Sequence, residues 1–332
     1  MVKEFHVHQI LEERARAPQS EALAGRASFH ADSRTPSDVK ELFLALGFEK
    51  IPAPIIDRLS LLSKIEGKNR RRNSHFQDAV EISEIVDNLI EEELTEKELN
   101  DLRLASLLHD VGKSGPAEAT DDEQRAFVDL FNLDFNEEQY PVGARKLAAR
   151  ELPLSVALMI KAREGAMSLA RAKEVLELIE SAVKRQERPR PETNINADSA
   201  MLKVWSAHVY WTDAVLRRAK IDARIVEISA SHHLLDGQDP ENVGLENADQ
   251  SIASLELADK YQAFRVRLIL ADQYQAFRKR SAKSHAETIA ILRKKIEDKL
   301  SAHPKTEAIY LKILESIDKQ KTLFEQELDL AA

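Results

Sequence analysis

A histidine and an aspartate stand side by side at His109-Asp110, directly after an apolar stretch and before Gly112 and Lys113. The apolar stretch predicts a buried helix, and burying an imidazole and a carboxylate at its end is costly unless something compensates for it. A bound divalent metal compensates well, since neutral imidazole and ionised carboxylate are both good metal ligands. His-Asp pairs are common in proteins, so the metal interpretation depends on further ligands elsewhere in the chain.

Further candidate ligands lie on both sides of this pair. His75 precedes His109 by 34 residues, a separation that suits two antiparallel helices with both histidines at the same end. The later candidates are a histidine in a predicted helix, two adjacent histidines before a turn and two aspartates: His208, His232, His233, Asp259 and Asp272. The chain has no cysteine, so any metal must be held by histidine and carboxylate side chains.

The two aspartates occupy equivalent positions in an internal duplication. The copies are Leu257-Ala-Asp-Lys-Tyr-Gln-Ala-Phe-Arg265 and Leu270-Ala-Asp-Gln-Tyr-Gln-Ala-Phe-Arg278. Thirteen residues turn an α-helix by about 220°. Asp259 and Asp272 therefore cannot both face one metal centre if the helix that carries them is straight.

The elements that must position these residues are predicted to be helices. Thr95 and Glu98 form a capping box ahead of the apolar stretch that ends at Leu108. The segment 77–94 has apolar residues at helical spacing, and Asp222 caps a helix that leads to His232. Glycine is scarce and alternating β-branched runs are nearly absent, so the sequence predicts an all-α fold.

Breaks in the helical pattern divide the chain into predicted units. Residues 1–55 form a small helical N-terminal domain, and residues 56–300 form the domain that carries the candidate ligands. Within it, about 117–195 is predicted to be a helical insertion that ends in a proline-rich linker. Residues 301–332 form a C-terminal helix, which either covers the core or provides a homodimer surface.

Composition limits the classes of partner. With 332 residues, 43% of them hydrophobic, the chain can bury the core of a soluble globular protein. Its net charge of −9 argues against a dedicated binder of duplex nucleic acid. There is no run of about 18 uncharged apolar residues to span a membrane, and the N-terminal residues lack the apolar core of a signal peptide. We therefore expect a cytoplasmic protein.

The ordered ligand series resembles the HD superfamily of metal-dependent phosphohydrolases. The order is a lone histidine, His-Asp-x-Gly-Lys, a second lone histidine, His-His and then Asp-x-Tyr-x-Ala. Within the superfamily it is most similar to the HD-GYP group, bacterial phosphodiesterases that open cyclic di-GMP. The resemblance covers about residues 70–295 and includes the spacing of 25 residues from His208 to His233. It implies an HD-domain helical bundle.

Two departures from the HD-GYP pattern bear on function. The family's Asp-Gly-x-Gly-Tyr-Pro loop reads Asp236-Gly-Gln-Asp-Pro240, without the second glycine and the tyrosine. Arg71 stands where the family has a carboxylate for a third metal, so a two-metal site is expected. For the final aspartate, Asp272 is preferred over Asp259, because the arginine-rich stretch after Asp272 resembles the one that follows the family's aspartate.

The resemblance implies two divalent ions bridged by Asp110. The other ligands would be His75, His109 and the final aspartate for one ion, and His208, His232 and His233 for the second. A hydroxide activated by both ions would attack phosphorus in line, and Lys113 would bind a phosphate oxygen. Nitrogen and oxygen ligands suit iron, which the family favours, and also manganese, nickel or zinc.

The activity implied by the resemblance is hydrolysis of cyclic di-GMP, weakened because the loop tyrosine near the nucleotide is missing. Two alternatives stay open. One is a catalytically poor, metal-binding signalling module that acts through a protein partner, which the degenerate loop and the long insertion favour. The other is an HD phosphohydrolase for a different nucleotide, against which the adjacent histidines and the Asp-x-Tyr-x-Ala element argue.

Overall fold

The computed structural model of the protein describes residues 39–64, 74–90, 94–135, 139–240, 244 and 255–320, without the side chains of 255–259 and 280. Within these ranges the chain forms twelve α-helices, four short 3₁₀ helices and one β-hairpin, which confirms the all-α class. Residues 1–38 of the predicted N-terminal domain lie outside the described ranges, as does the stretch that contains Arg71.

The described helices and strands follow one another along the chain in this order. The first six helices are α1 (Val39–Ala45), α2 (Ala53–Leu62), α3 (His75–Asn88), α4 (Glu96–Leu108), α5 (Asp121–Phe131) and α6 (Leu154–Arg163). The others are α7 (Leu169–Lys184), α8 (Met201–Arg218), α9 (Ala223–Ala230), α10 (Leu255–Arg280), α11 (His285–Leu300) and α12 (Pro304–Lys319). The hairpin pairs β1 (Gln139–Val142) with β2 (Arg145–Ala148). None of the described helices is both long and apolar enough to cross a membrane.

Side-chain caps determine where several helices begin. The predicted capping box is present at α4, where Thr95 Oγ1 accepts from the Glu98 N–H and the Glu98 carboxylate accepts from the Thr95 N–H. Helix α3 begins at His75, earlier than predicted, because Ser74 Oγ accepts a hydrogen bond from Gln77 N. The sequence prediction also extended α3 too far towards its C-terminus. This cap places His75 in the first turn of α3.

The described residues pack around two hydrophobic cores. The first core is built from α1 to α4, the end of α8 and α9 to α12, with Val128 of α5. The second core is built from α5, α6, α7 and the part of α8 up to Trp211, with Tyr140 of the hairpin. Helix α8 belongs to both, because Val204 and Trp211 lie in the second core and Val215 and Leu216 in the first.

The hairpin is the departure from the helices and turns predicted for residues 117–195. Its strands have four residues each, and Tyr140 is the buried side chain of β1. Gly143 has a φ of +60° in the connection, a value that glycine adopts without strain. Strands this short leave too few alternating positions for a period-two pattern to be recognised in the sequence.

Candidate metal centre

Five elements bring the predicted ligands towards one point in the first core. His109 caps the C-terminus of α4, and Asp110 follows it. The remaining ligands come from other helices and their ends: His75 from α3, His208 from α8, His232 and His233 from the turn after α9, and Asp272 from α10. Apart from His233, these side chains are buried. Side chains that are far apart in the sequence thus share a water-poor volume, where an ionisable group needs a partner.

The carboxylate of Asp110 lies between the histidines. Its Oδ1 is 3.3 Å from His208 Nε2 and 3.8 Å from His232 Nε2, and its Oδ2 is 3.5 Å from His109 Nε2. Two overlapping groups of three have all their ligand atoms within 4.8 Å of one another: His208, His232 and His233, and His109, Asp110 and His232. A carboxylate with its two oxygens facing different histidines has the arrangement of a bridging ligand.

Asp272 approaches the same two groups from α10. Its Oδ1 is 3.9 Å from His109 Nε2, and its Oδ2 is 4.0 Å from His233 Nε2. Asp259 lies thirteen residues earlier on α10, about 20 Å along the helix axis, and its side chain is outside the described residues. Of the two aspartates left open by the sequence, the structure places Asp272 in the cluster.

The histidine rings are held with Nε2 facing inward. His109 Nδ1 is 2.7 Å from the Ser106 carbonyl and His232 Nδ1 is 2.7 Å from the Ser229 carbonyl. His208 Nδ1 makes the equivalent hydrogen bond to the carbonyl three residues before it. Because a carbonyl can only accept, Nδ1 carries the proton in each ring, and the lone pair of Nε2 points into the cluster.

Burial and neighbouring charges fix the protonation states that metal binding requires. Burial lowers the pKa of His208 to about 4, and burial with the adjacent histidines lowers the pKa of His232 well below its ordinary value. Burial by itself would raise the pKa of Asp110, but Lys113, His109 and His208 outweigh it and the pKa falls well below its usual range. At neutral pH the imidazoles of His208 and His232 are therefore neutral and the carboxylate of Asp110 is ionised, as metal binding requires.

Two observations show that the donor set fits a metal ion. His109 Nε2 is buried and makes no hydrogen bond with any described residue. His208 Nε2 and His232 Nε2 lie 3.0 Å apart, although both carry lone pairs when Nδ1 holds the proton. Two nitrogens that bind the same ion, each at about 2.1 Å, are separated by about 3.0–3.4 Å. A shared cation would satisfy all three nitrogen atoms.

Lys113 and His75 occupy one side of the cluster. The Lys113 ammonium forms an ion pair with Asp110 Oδ2, and its Nζ is 3.5 Å from His75 Nδ1. His75 belongs to neither of the two groups of three, and its ring packs edge-on against Phe131 with 6.4 Å between centroids. The lysine predicted to bind phosphate thus holds the predicted bridging carboxylate in this structure.

The turn from His109 to Lys113 can approach α8 closely only because residue 112 is a glycine. A Cβ built at this position would lie 2.0 Å from the His208 carbonyl oxygen and 2.4 Å from Thr212 N. Instead, Thr212 Oγ1 accepts a hydrogen bond from Gly112 N at 3.0 Å and donates to the His109 carbonyl at 2.9 Å. Thr212 is one helical turn from His208, and that spacing is the sequence signal by which it could have been found.

Arg58 fixes the other end of the same turn from α2. Its buried guanidinium donates to Ser114 Oγ at 2.8 Å and to the carbonyls of residues 114–117 at 2.8–3.3 Å. The turn that follows the His-Asp pair is therefore anchored by a residue that lies more than fifty positions earlier in the chain. No local pattern in the sequence links the two.

The degenerate loop after the paired histidines packs against α8 and the linker before it. Gln238 Nε2 donates to Ser206 Oγ at 3.0 Å, and Arg190 Nη1 donates to the Pro240 carbonyl at 2.5 Å. The loop begins at Asp236, which accepts a hydrogen bond from His233 Nδ1 at 3.0 Å. It thus lies beside the most exposed histidine of the cluster, whose side chain is 28% accessible.

Comparison with protein-family models, with curated proteins and with solved structures gave no match for this chain. The buried His/Asp cluster identifies residues that could hold a metal ion, without identifying a family or a particular metal.

Proposed function

We propose that the chain is a metal-dependent phosphodiesterase of the HD-GYP type, which binds two divalent ions and opens cyclic di-GMP. One observation carries the proposal: buried histidines from separate elements present Nε2 lone pairs to an ionised aspartate within 4.8 Å. Such a cluster is unfavourable without a cation, since buried lone pairs and charge need compensation. The order of the candidate ligands along the chain resembles that of the HD-GYP group. From this resemblance we infer the reaction and the substrate.

Three side chains of this site would have different roles. Asp110 contacts histidines with both oxygens and would bridge the ions, while Asp272 spans the two groups from α10. Lys113 holds a positive charge at Asp110, where it would attract a phosphodiester. The apolar surroundings exclude bulk water, which strengthens each of these electrostatic interactions.

Divalent ions bound here would activate a water molecule and neutralise charge on the phosphoryl oxygens. The ligand set of imidazoles and carboxylates suits iron, manganese, nickel and zinc, and the resemblance favours iron. The substrate would approach on the side of His233, because the other cluster residues are 7% accessible or less.

The missing tyrosine predicts poor substrate binding. Loss of one base-stacking contact costs on the order of 1–3 kcal/mol, or about 5- to 150-fold in affinity. The metal ligands and Lys113 act on phosphate and do not depend on that contact. We therefore expect slow or weak turnover of cyclic di-GMP.

The test combines elemental analysis after anaerobic purification with a turnover assay at millimolar cyclic di-GMP. We expect two metal ions per chain and slow hydrolysis, with turnover abolished by chelation or by His109→Ala. Asp110→Ala should lose both ions, because the bridging carboxylate is shared. The matched control is His303→Ala, which removes a histidine at the start of α12 that belongs to neither group. Less than one equivalent of metal in the unchanged protein would contradict the proposal.

A second candidate is a metal-binding signalling module without turnover. The low accessibility of the ligands and the packing of the degenerate loop on α8 favour this second candidate. Two bound ions with neither binding nor cleavage of cyclic di-GMP would support this candidate over the phosphodiesterase. Cleavage of another nucleotide instead would point to a different HD phosphohydrolase.

A further inference from the structure

His233 is oriented differently from the other histidines of the cluster. His109, His208 and His232 use a backbone carbonyl of their own turn as the partner of Nδ1. His233 Nδ1 instead donates to the side chain of Asp236, at 3.0 Å. Its orientation therefore depends on a second side chain, which must itself be held in place.

Two other helices hold Asp236. The Lys295 ammonium of α11 forms an ion pair with Asp236 Oδ1, and Gln273 Nε2 of α10 donates to Oδ2 at 3.2 Å. Lys295 Nζ also donates to Gln273 Oε1 at 3.1 Å, which closes a triangle of hydrogen bonds. We call Asp236, Gln273 and Lys295 the α11 clamp. Gln273 follows Asp272 directly, so the clamp adjoins the cluster on two sides.

The Asp236 carboxylate acts as an acceptor within the clamp. Lys295 Nζ and Gln273 Nε2 both donate to its oxygens, and neither donor can accept a hydrogen bond from it. An ionised carboxylate can only accept, so the proton of a neutral His233 stays on Nδ1 and the Nε2 lone pair is free to bind a metal. His233 Nε2 lies 4.0 Å from Asp272 Oδ2, on the cluster side of the ring.

We propose that Lys295 and Gln273, acting through Asp236, are positioning residues that hold His233 Nε2 towards the cluster and set the metal affinity of the His208–His232–His233 group. The inference rests on the proposed metal site for its effect on affinity. The orientation of His233 is a property of the chain by itself. The two parts can therefore be measured separately.

The first measurement uses the full chain without metal. Nitrogen NMR of ¹⁵N-histidine-labelled protein should show His233 as the Nδ1–H tautomer, since a hydrogen bond at one ring nitrogen selects the tautomer. Lys295→Met should give a mixture of the two His233 tautomers, and Asp236→Asn should lower the fraction of the Nδ1–H tautomer further. Lys295→Arg, which keeps a charged donor, should restore the original tautomer.

The second measurement titrates the same proteins with Mn²⁺. Lys295→Met should weaken one of two binding events by about 10-fold, and Asp236→Asn by about 10- to 100-fold, while the other event stays unchanged. The matched control is Lys294→Met on the same helix, because Lys294 pairs with Asp298 of α11 and its side chain is 75% accessible. Lys294→Met should behave like the unchanged protein in both measurements.

Lys295→Met with an unaltered His233 tautomer and unaltered Mn²⁺ affinity, in a protein that unfolds at the usual temperature, would overturn the inference. If the unchanged protein bound no metal but the clamp variants still altered the His233 tautomer, the metal proposal would fail while the positioning role stood. The NMR spectra and the titration therefore distinguish the two failures.

Discussion

Gly112 is the residue at which the site depends most on the absence of a side chain. It lies against the backbone of α8, where neither the His208 carbonyl nor the Thr212 amide can move aside cheaply. The contact also joins two predicted ligand positions, since the turn from His109 to Lys113 meets α8 at His208.

Gly112→Ala should therefore destabilise the protein by about 3 kcal/mol or more, because overpacking against backbone is at the upper end of such costs. Gly165→Ala is the matched control, since Gly165 has a φ of +79° with open space around it. The control should lose only about 1–2 kcal/mol, from the left-handed backbone alone. Denaturant unfolding of both variants provides the comparison, and equal losses would contradict the packing explanation.

Asp272→Ala should reduce the bound metal by at least one ion per chain, because the Asp272 carboxylate faces both ligand groups. Asp259→Ala should leave the metal content unchanged, since the same helix cannot present both aspartates to one centre. Elemental analysis of the two purified variants decides between the copies of the duplication. Metal loss in Asp259→Ala alone would reverse the assignment.

At the scale of residues, the candidate ligands could be predicted from the sequence more readily than the contacts that position them. The sequence indicated the histidines and Asp110, because histidine and aspartate are the available metal ligands in a chain without cysteine. It favoured Asp272 but did not exclude Asp259, since an internal repeat gives both the same local pattern. It did not indicate Gln273 and Lys295, because their role depends on how α10 and α11 pack.

At the scale of elements, helix α2 anchors the turn that follows the His-Asp pair, although the two are far apart in the sequence. Arg58 of α2 satisfies carbonyls of residues 114–117 that follow the His-Asp pair. Those carbonyls are in a buried region, and buried acceptors without donors are expensive. The position of the turn, and with it that of Asp110, therefore depends on α2.

Arg58→Met should cost at least about 3 kcal/mol of stability, because several buried acceptors lose their donor at once. It should also weaken metal binding, since the turn that carries Asp110 is released. Arg58→Lys keeps the charge with fewer donors and should fall between Arg58→Met and the unchanged protein. Chemical unfolding and metal titration test the order, and a fully stable Arg58→Met protein would disprove it.

Helix identities were predictable to the extent that their signals are local. The capping box at Thr95 and Glu98 and the cap at Asp222 were read from adjacent residues, and both are present. The start of α3 was missed because Ser74 stands next to a basic stretch rather than an apolar one. Nothing local predicts that α8 faces two cores, since apolar residues cover it at helical spacing throughout.

At the scale of the whole molecule, the proposed ligands come from separate helices, so metal binding would stabilise the folded arrangement of those helices. An ion that binds the folded chain and not the unfolded one stabilises it by about 2.7 kcal/mol at a hundred times the dissociation constant. Chelation should therefore lower the unfolding temperature by several degrees. Calorimetry with and without chelator measures the shift, and Asp110→Ala should show none. An equal shift in Asp110→Ala would mean that the metal acts elsewhere.

Helix α8 has a consequence for amide hydrogen exchange. The part of α8 up to Trp211 is buried in the second core and includes His208, whereas Val215 and Leu216 near its end are buried in the first core. An ion that binds His208 would oppose local opening of α8, and opening of α8 exposes the surface against which α5, α6 and α7 pack. Exchange should therefore slow in these three helices when metal is added, although none of them carries a predicted ligand. The second core would then report on occupancy of a centre that it does not contain.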